Sequence, residues 1–163
     1  MKRVLALLGL AAGLLAGPVL ARDSLGVFGS WAAFRDAGVP RCYAIAAPEP
    51  SSDKRDFQPY ASVGIWPRRG VRGQVYFRLS RRLAAHSPAH LAVGGRHFDL
   101  AAGQAGAWAP DANADAGIVA AMRSASTMMI TARAADGRLF RDLYQLDGAA
   151  SALDAAALGC AGN

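Results

Sequence analysis

The sequence predicts a mostly antiparallel β domain with two short α-helices, and three observations lead there. Beyond residue 21 the chain is a succession of short apolar stretches, most rich in β-branched or aromatic residues and cut by Gly, Pro and Asp. Two of these stretches alternate apolar and polar residues with the period of a strand. Only two segments carry helix start signals, and both are short. A length of 163 residues suits one domain with a modest core, since much of the 53% hydrophobic content is Ala. No internal repeat, heptad pattern or dividing linker interrupts it.

Residues 1–21 read as a leader rather than as part of the fold. Lys2 and Arg3 precede an apolar run over residues 4–15; Gly17 and Pro18 then break any helix, and Val19 and Ala21 supply the small residues of a signal-peptidase site. The run falls well short of the roughly 20 residues that span a hydrocarbon core. Arg22-Asp23-Ser24 follows, with no Cys for lipid attachment. The expectation is cleavage after Ala21, leaving residues 22–163 as a single exported domain with no transmembrane segment. Periplasmic residence follows, with the outer membrane or the medium as further destinations.

The elements follow in order. Residues 26–34 (GVFGSWAAF) and 41–47 (RCYAIAA) are the first two strands, joined across Asp36-Ala37-Gly38, and the polar, Pro-flanked residues 49–56 form a loop. Tyr60–Trp66 and residues 72–80 make the clearest pair, linked by Pro67-Arg68-Arg69-Gly70. In that pair Ala61, Val63 and Ile65, with Val75, Phe77 and Leu79, form the apolar face and point to the core. Residues 91–93 and 97–100 form a hairpin through Gly94-Gly95. Pro110-Asp111 opens a helix over residues 112–123, with Asp111 as the cap and Ile118, Ala121 and Met122 as its apolar stripe. Thr127–Arg133 and residues 139–146 make a further hairpin through Asp136-Gly137. A two-residue turn there sets Ile130 opposite Leu143 and leaves Met129, Phe140 and Tyr144 on the other face. Either the hairpin is covered on both sides or its turn contains a bulge. Ser151-Ala152-Leu153-Asp154 reads as a capping box opening a last helix that stops at Gly159.

Charge and cysteine content narrow the function classes. The formal net charge is +6, and the leader takes Lys2 and Arg3 with it. The remaining surplus is too mild to mark a nucleic-acid binder. Two Cys are too few for a disulfide-rich scaffold or a four-ligand zinc site. In an oxidising compartment Cys42, within a strand, and Cys160, just past the last helix, point to one structural disulfide.

Between Asp56 and Asp99 there is no acidic residue, while seven Arg fall in that interval. If the Tyr60–Trp66 and 72–80 strands pair, Tyr60, Trp66 and Tyr76 share an outward face with Arg72 and Arg78, and Arg68 and Arg69 occupy the turn. Arginines interleaved with aromatic rings stack on planar groups, grip phosphate or carboxylate bidentately, and anchor protein partners. These seven residues are the candidate binding surface; an ordinary solvated face in an Arg-rich chain is the bland alternative.

Catalytic patterns are absent. His86 and His90 have the spacing of two ligands on a helical turn, but Pro88 between them opposes the helix, and His97 sits on another strand. The sequence has no nucleophile elbow, Gly-rich phosphate loop or H-E-x-x-H motif. No catalytic residue, cofactor or metal is therefore assigned. A small periplasmic hydrolase using His86, His90 or His97, and a purely structural envelope protein, are the alternatives of other classes.

The order of segments resembles the invasion-associated locus B family of exported alphaproteobacterial proteins. The resemblance rests on the leader followed by a strand holding Trp31, the Cys-bearing strand RCYAIAAP, the segment ASVGIWPRRGVRGQVYFRLSRRL, and the C-terminal unit AGIVAAMRSASTMMITARAADGRLFRDLYQLDGAASALDAAAL. Family members commonly carry a further Gly-Cys in mid-chain, which is missing from GRHFDLAAGQAGAWAP here. The resemblance implies an immunoglobulin-like β-sandwich of the envelope, with no catalytic residues to carry over. The functional expectation is a non-enzymatic envelope protein that binds a protein partner or an anionic glycolipid.

Overall fold

Ten antiparallel strands and two α-helices form along residues 22–36 and 38–161, the part of the chain that the computed structural model describes. The leader assigned to residues 1–21 lies outside the described residues. The strands are β1 (Arg22–Phe28), β2 (Trp31–Asp36), β3 (Arg41–Ala46), β4 (Tyr60–Trp66), β5 (Val71–Arg78), β6 (Ala89–Val93), β7 (Arg96–Gly103), β8 (Gly106–Trp108), β9 (Thr127–Arg133) and β10 (Leu139–Gln145). The helices are α1 (Ala112–Met122) and α2 (Ala149–Gly159), and Pro67–Arg69 form a 3-10 turn.

The strands hydrogen-bond in the order β1-β2-β3-β4-β5-β8-β7-β6-β9-β10. β7 is where this ribbon divides: residues 96–100 pair with β6, and residues 101–103 pair with β8. One layer comprises β1–β5 and β8, the other β6, β9 and β10. The two meet as a β-sandwich, in agreement with the mainly β class expected. Phe77 of β5 and Tyr144 of β10 pack across the core at 6.4 Å between ring centroids. Trp31, fully buried, donates from Nε1 to the Gln145 carbonyl at 2.9 Å and ties β2 to the end of β10.

The alternation expected for the clearest pair holds. Ala61, Val63, Val75, Phe77 and Leu79 are buried, and Ile65 is half-buried against them. α2 packs on β1–β3, where Ala33, Ala44 and Ala46 face its Ala152, Leu153 and Ala156. Side chains this small let helix and sheet approach closely. The end of α2 brings Cys160 to Cys42; the two are disulfide-bonded, with Cα atoms 5.9 Å apart and a sequence separation of 118.

Three expectations about local structure are corrected. Residues 26–34 do not form one strand, because Gly29 and Ser30 turn the chain between Phe28 and Trp31. Gly29 occupies the first turn position with φ +53°, a conformation that suits glycine. At the Asp136-Gly137 hairpin, Ile130 lies opposite Asp142, not Leu143. Gly137, with φ +83°, closes a three-residue loop, and that extra residue resolves the facing problem. Met128, Ile130 and Ala132 face inward with Phe140 and Tyr144, while Leu143 is outward. α2 begins two residues before Ser151, from Gly148 at φ +80°, and no side chain caps it. A Cβ on Gly148 would run into the Phe28 carbonyl oxygen. The Asp111 cap of α1 is as expected, accepting from the Ala114 N–H at 2.8 Å.

The register of β10 also turns an aspartate inward. Asp142 is 1% exposed and takes the Ser80 N–H at 2.9 Å on Oδ2, while its Oδ1 and the Tyr144 hydroxyl have no hydrogen-bond partner. Burial holds the Asp142 carboxyl above the ordinary carboxylate range. Its folded pKa exceeds its unfolded one, so its charged form costs stability above the folded value. Stability is regained as pH falls through that value toward the ordinary carboxylate pKa. Asp142→Asn is expected to raise the urea midpoint at neutral pH and to remove this rise on mild acidification. Equal midpoint-versus-pH curves for the two proteins would contradict it.

Candidate functional site

Strand period and glycine placement together build an aromatic face on the outer side of β3–β5. On β4, Tyr60, Ser62, Gly64 and Trp66 point away from the core. They pair with Tyr43 and Ile45 of β3 on one side and with Gln74, Tyr76 and Arg78 of β5 on the other. Gly64 leaves the strand bare, and the Trp66 indole lies in the space a Cβ would occupy. Gly106 plays the same part beneath Tyr76. The Tyr60 and Tyr76 rings stand 5.9 Å apart, and Phe34 and Tyr43 continue the stripe at 5.7 Å.

Arginines are threaded among these rings. The Arg41 guanidinium lies 4.8 Å from the Tyr43 centroid, and Arg78 lies 4.1 Å from that of Phe57, at cation–π distances. Arg22 and Arg41 share the single carboxylate of Asp36, at 3.6 and 2.8 Å, so their charge is only partly offset. Arg78 has no acidic partner among the described residues. Burial, with Tyr76 alongside, pushes the Tyr60 phenol up, which keeps it a neutral hydroxyl donor at physiological pH. Between these side chains runs a shallow groove of about 220 Å³, lined by Arg22, Arg41, Tyr43, Tyr60, Ser62 and Trp66.

The structure brings together Tyr60, Trp66, Tyr76 and Arg78 of the seven residues singled out from sequence. It places the other three elsewhere. Arg68 and Arg69 project from the 3-10 turn at the end of the strands. Arg72 leaves the face because Gly73 is an extra residue in β5: Gln74 pairs with Gly64, but Arg72 pairs with Ile65. A bulge of one residue reverses the side on which every residue beyond it points. Conversely, Arg22, Arg41, Tyr43 and Phe57 join the face only through long-range pairing and loop docking. Arg22, Arg41 and Tyr43 lie outside the acid-free interval and Phe57 at its very start, before β4, and no local sequence signal joins them to the face.

The histidines do not converge. His90 Nδ1 is 2.7 Å from Asp99 Oδ1 across the exposed β6–β7 hairpin, His97 pairs with Ala92, and His86 lies in the preceding loop. No Ser or Cys side chain hydrogen-bonds to His90 among the described residues, and no cluster of three or more His, Cys, Asp or Glu there could hold a metal. No helix of the described residues is long and apolar enough to cross a membrane.

No protein-family model and no curated protein matches the chain. Among solved structures it is similar to the crystal structure of invasion-associated protein B from Bartonella henselae. The identity is 18% and the TM-score 0.59, over 84% of this chain and 98% of that one. The fold is therefore shared along nearly the whole of that protein.

Proposed function

We propose that the chain is an exported, non-enzymatic envelope protein of the invasion-associated locus B kind, whose single mature domain, residues 22–163, binds a phosphorylated glycolipid in the periplasm. The observation that carries this reading is the uncovered aromatic–arginine groove on β3–β5. Flat rings held against glycine backbone offer an apolar surface for the C–H face of a sugar. Arg41 and Arg78 beside them offer planar forks of the kind that grip phosphate. At about 220 Å³ the groove is smaller than the roughly 300–1,000 Å³ of enclosed small-molecule pockets and takes one or two rings lying flat. The shared fold and the Cys42–Cys160 bond support an exported life in an oxidising compartment.

The test is cosedimentation of residues 22–163 with phosphatidylcholine vesicles, with and without lipid A, at low and high salt. Binding is expected only with lipid A and is expected to weaken as salt rises. Trp66→Ala with Arg78→Ala should lower affinity by about tenfold or more, a loss of about 1.4 kcal/mol. Gly64→Ala should do the same by lifting the Trp66 indole off the strand. Vesicle binding that is indifferent to lipid A, or unchanged in both variants, would sink the reading.

A further inference from the structure

A second groove lies along the edge of β5 that faces away from β4. β8 pairs with β5 only along residues 76–78 and then leaves the sheet, because Pro110, two residues beyond Trp108, has no N–H for a ladder. From Val71 to Val75, β5 therefore has no strand beside it on that side among the described residues. The α1 side chain Asp115 substitutes at one position, accepting the Val75 N–H on Oδ1 at 2.7 Å. The remaining edge, residues 71–74, opens into a groove of about 790 Å³ between β5 and α1. Its walls include Trp108, which is 40% exposed, Val119, and the small side chains of Ala116 and Ala120.

The charges around this groove are segregated. Asp111 and Asp115 keep their negative charge on the α1 side, where one caps the helix and the other holds the Val75 N–H. Arg123 is paired with Asp154 at 2.7 Å. Arg72, turned to this side by the Gly73 bulge, is exposed and has no acidic partner among the described residues. The same is true of Arg68 and Arg69 on the turn at the groove's end. A ligand thus meets a strand edge with no neighbouring strand, an apolar wall and, at the Arg72 end, cations without acidic partners. Unpaired strand edges recruit strands, and free arginines select carboxylates.

We propose that this edge is a docking site for an extended acidic segment of a partner protein, which adds as a strand along residues 71–74 of β5 with its apolar side chains against Trp108 and Val119. Four residues of strand span about 13 Å, so the site reads a peptide of about four or five residues. The segment's carboxylates meet Arg72 and, at the end, Arg68 and Arg69. Neither Trp66 nor Tyr43 lines this groove, and it meets the glycolipid face only at Gln74 and Trp108, the pairing partners of Gly64 and Tyr76.

The experiment is selection of a random dodecapeptide phage library on residues 22–163. The best peptide is then synthesised, its affinity measured by calorimetry, and its site mapped by amide chemical shifts. The expected result is an acidic peptide that shifts Arg72, Gly73, Ala116 and Ala120. Its affinity should fall about tenfold or more in Arg72→Glu and also in Ala116→Phe, which fills the groove from an exposed helical position. Trp66→Ala should bind it as the wild type does. Unchanged thermal midpoints in these variants show that the fold is intact. Recovery of no peptide, of neutral or basic peptides only, or of an acidic peptide that maps to Tyr43 and Ser62 or ignores Ala116→Phe would overturn the proposal. Competition by lipid A for the same amides would assign the groove to the glycolipid and overturn it as well.

Discussion

Replacing Cys42 and Cys160 together by Ala is expected to lower the unfolding free energy by about 4–5 kcal/mol, a large share of the stability of a small domain. The effect follows from chain length: the bond closes a loop of 118 residues, nearly the whole described chain. In the chain-entropy description, a loop this long removes most of the freedom that the unfolded chain would otherwise regain. Burial adds to the effect, since Cys42 is fully buried and Cys160 is 5% exposed, so each Ala leaves a small void under the end of α2. Urea titration checks it, with the oxidised wild type compared with the double variant and with the reduced wild type. The midpoint should drop by a similar amount in both. A drop equivalent to less than about 1 kcal/mol would mean that α2 docks on β1–β3 equally well without its tether.

Trp31→Ala is expected to cost about 3–5 kcal/mol. The indole is fully buried, and its Nε1 hydrogen bond is the direct side-chain tie between β2 and β10. Truncation removes the packing and leaves the Gln145 carbonyl without its donor, each of which destabilises the fold. Trp31→Phe keeps much of the volume and loses the hydrogen bond, so it should fall between Trp31→Ala and the wild type. Equal urea midpoints for Trp31→Phe and Trp31→Ala would show that the tie to β10, rather than packing, carries the effect. A Trp31→Ala midpoint close to the wild type would contradict the clasp between the two layers.

What the sequence made legible was short-range. The alternation in β4 and β5, the Gly94-Gly95 turn, the Asp111 cap and the two helices all follow from local patterns. The Cys42–Cys160 bond followed from counting and compartment rather than from geometry. What escaped was set by single residues acting through partners far away. The Gly73 bulge has no signature distinguishing it from any glycine in a strand, yet it carries Arg72 from one face to the other. β8 is three residues long, too short to show a period, and is a strand only because β5 and β7 flank it. Ser151-x-x-Asp154 has the letters of a capping box, but the close approach of Gly148 to Phe28 starts α2 earlier. Asp154 pairs with Arg123 instead. The candidate face was half legible for the same reason. Tyr60, Trp66, Tyr76 and Arg78 follow from one hairpin, whereas Arg22, Arg41, Tyr43 and Phe57 arrive from β1, β3 and a loop.

The most direct measurement is amide chemical-shift mapping of isotopically labelled residues 22–163 titrated with micellar lipid A. Expected are saturable shifts on Tyr43, Ser62, Gly64 and Trp66, diminishing as salt is raised, with Arg72, Gly73 and Ala116 unmoved. Shifts centred on any other surface, or none on β3–β5, would contradict the assignment of the aromatic–arginine face as the binding site.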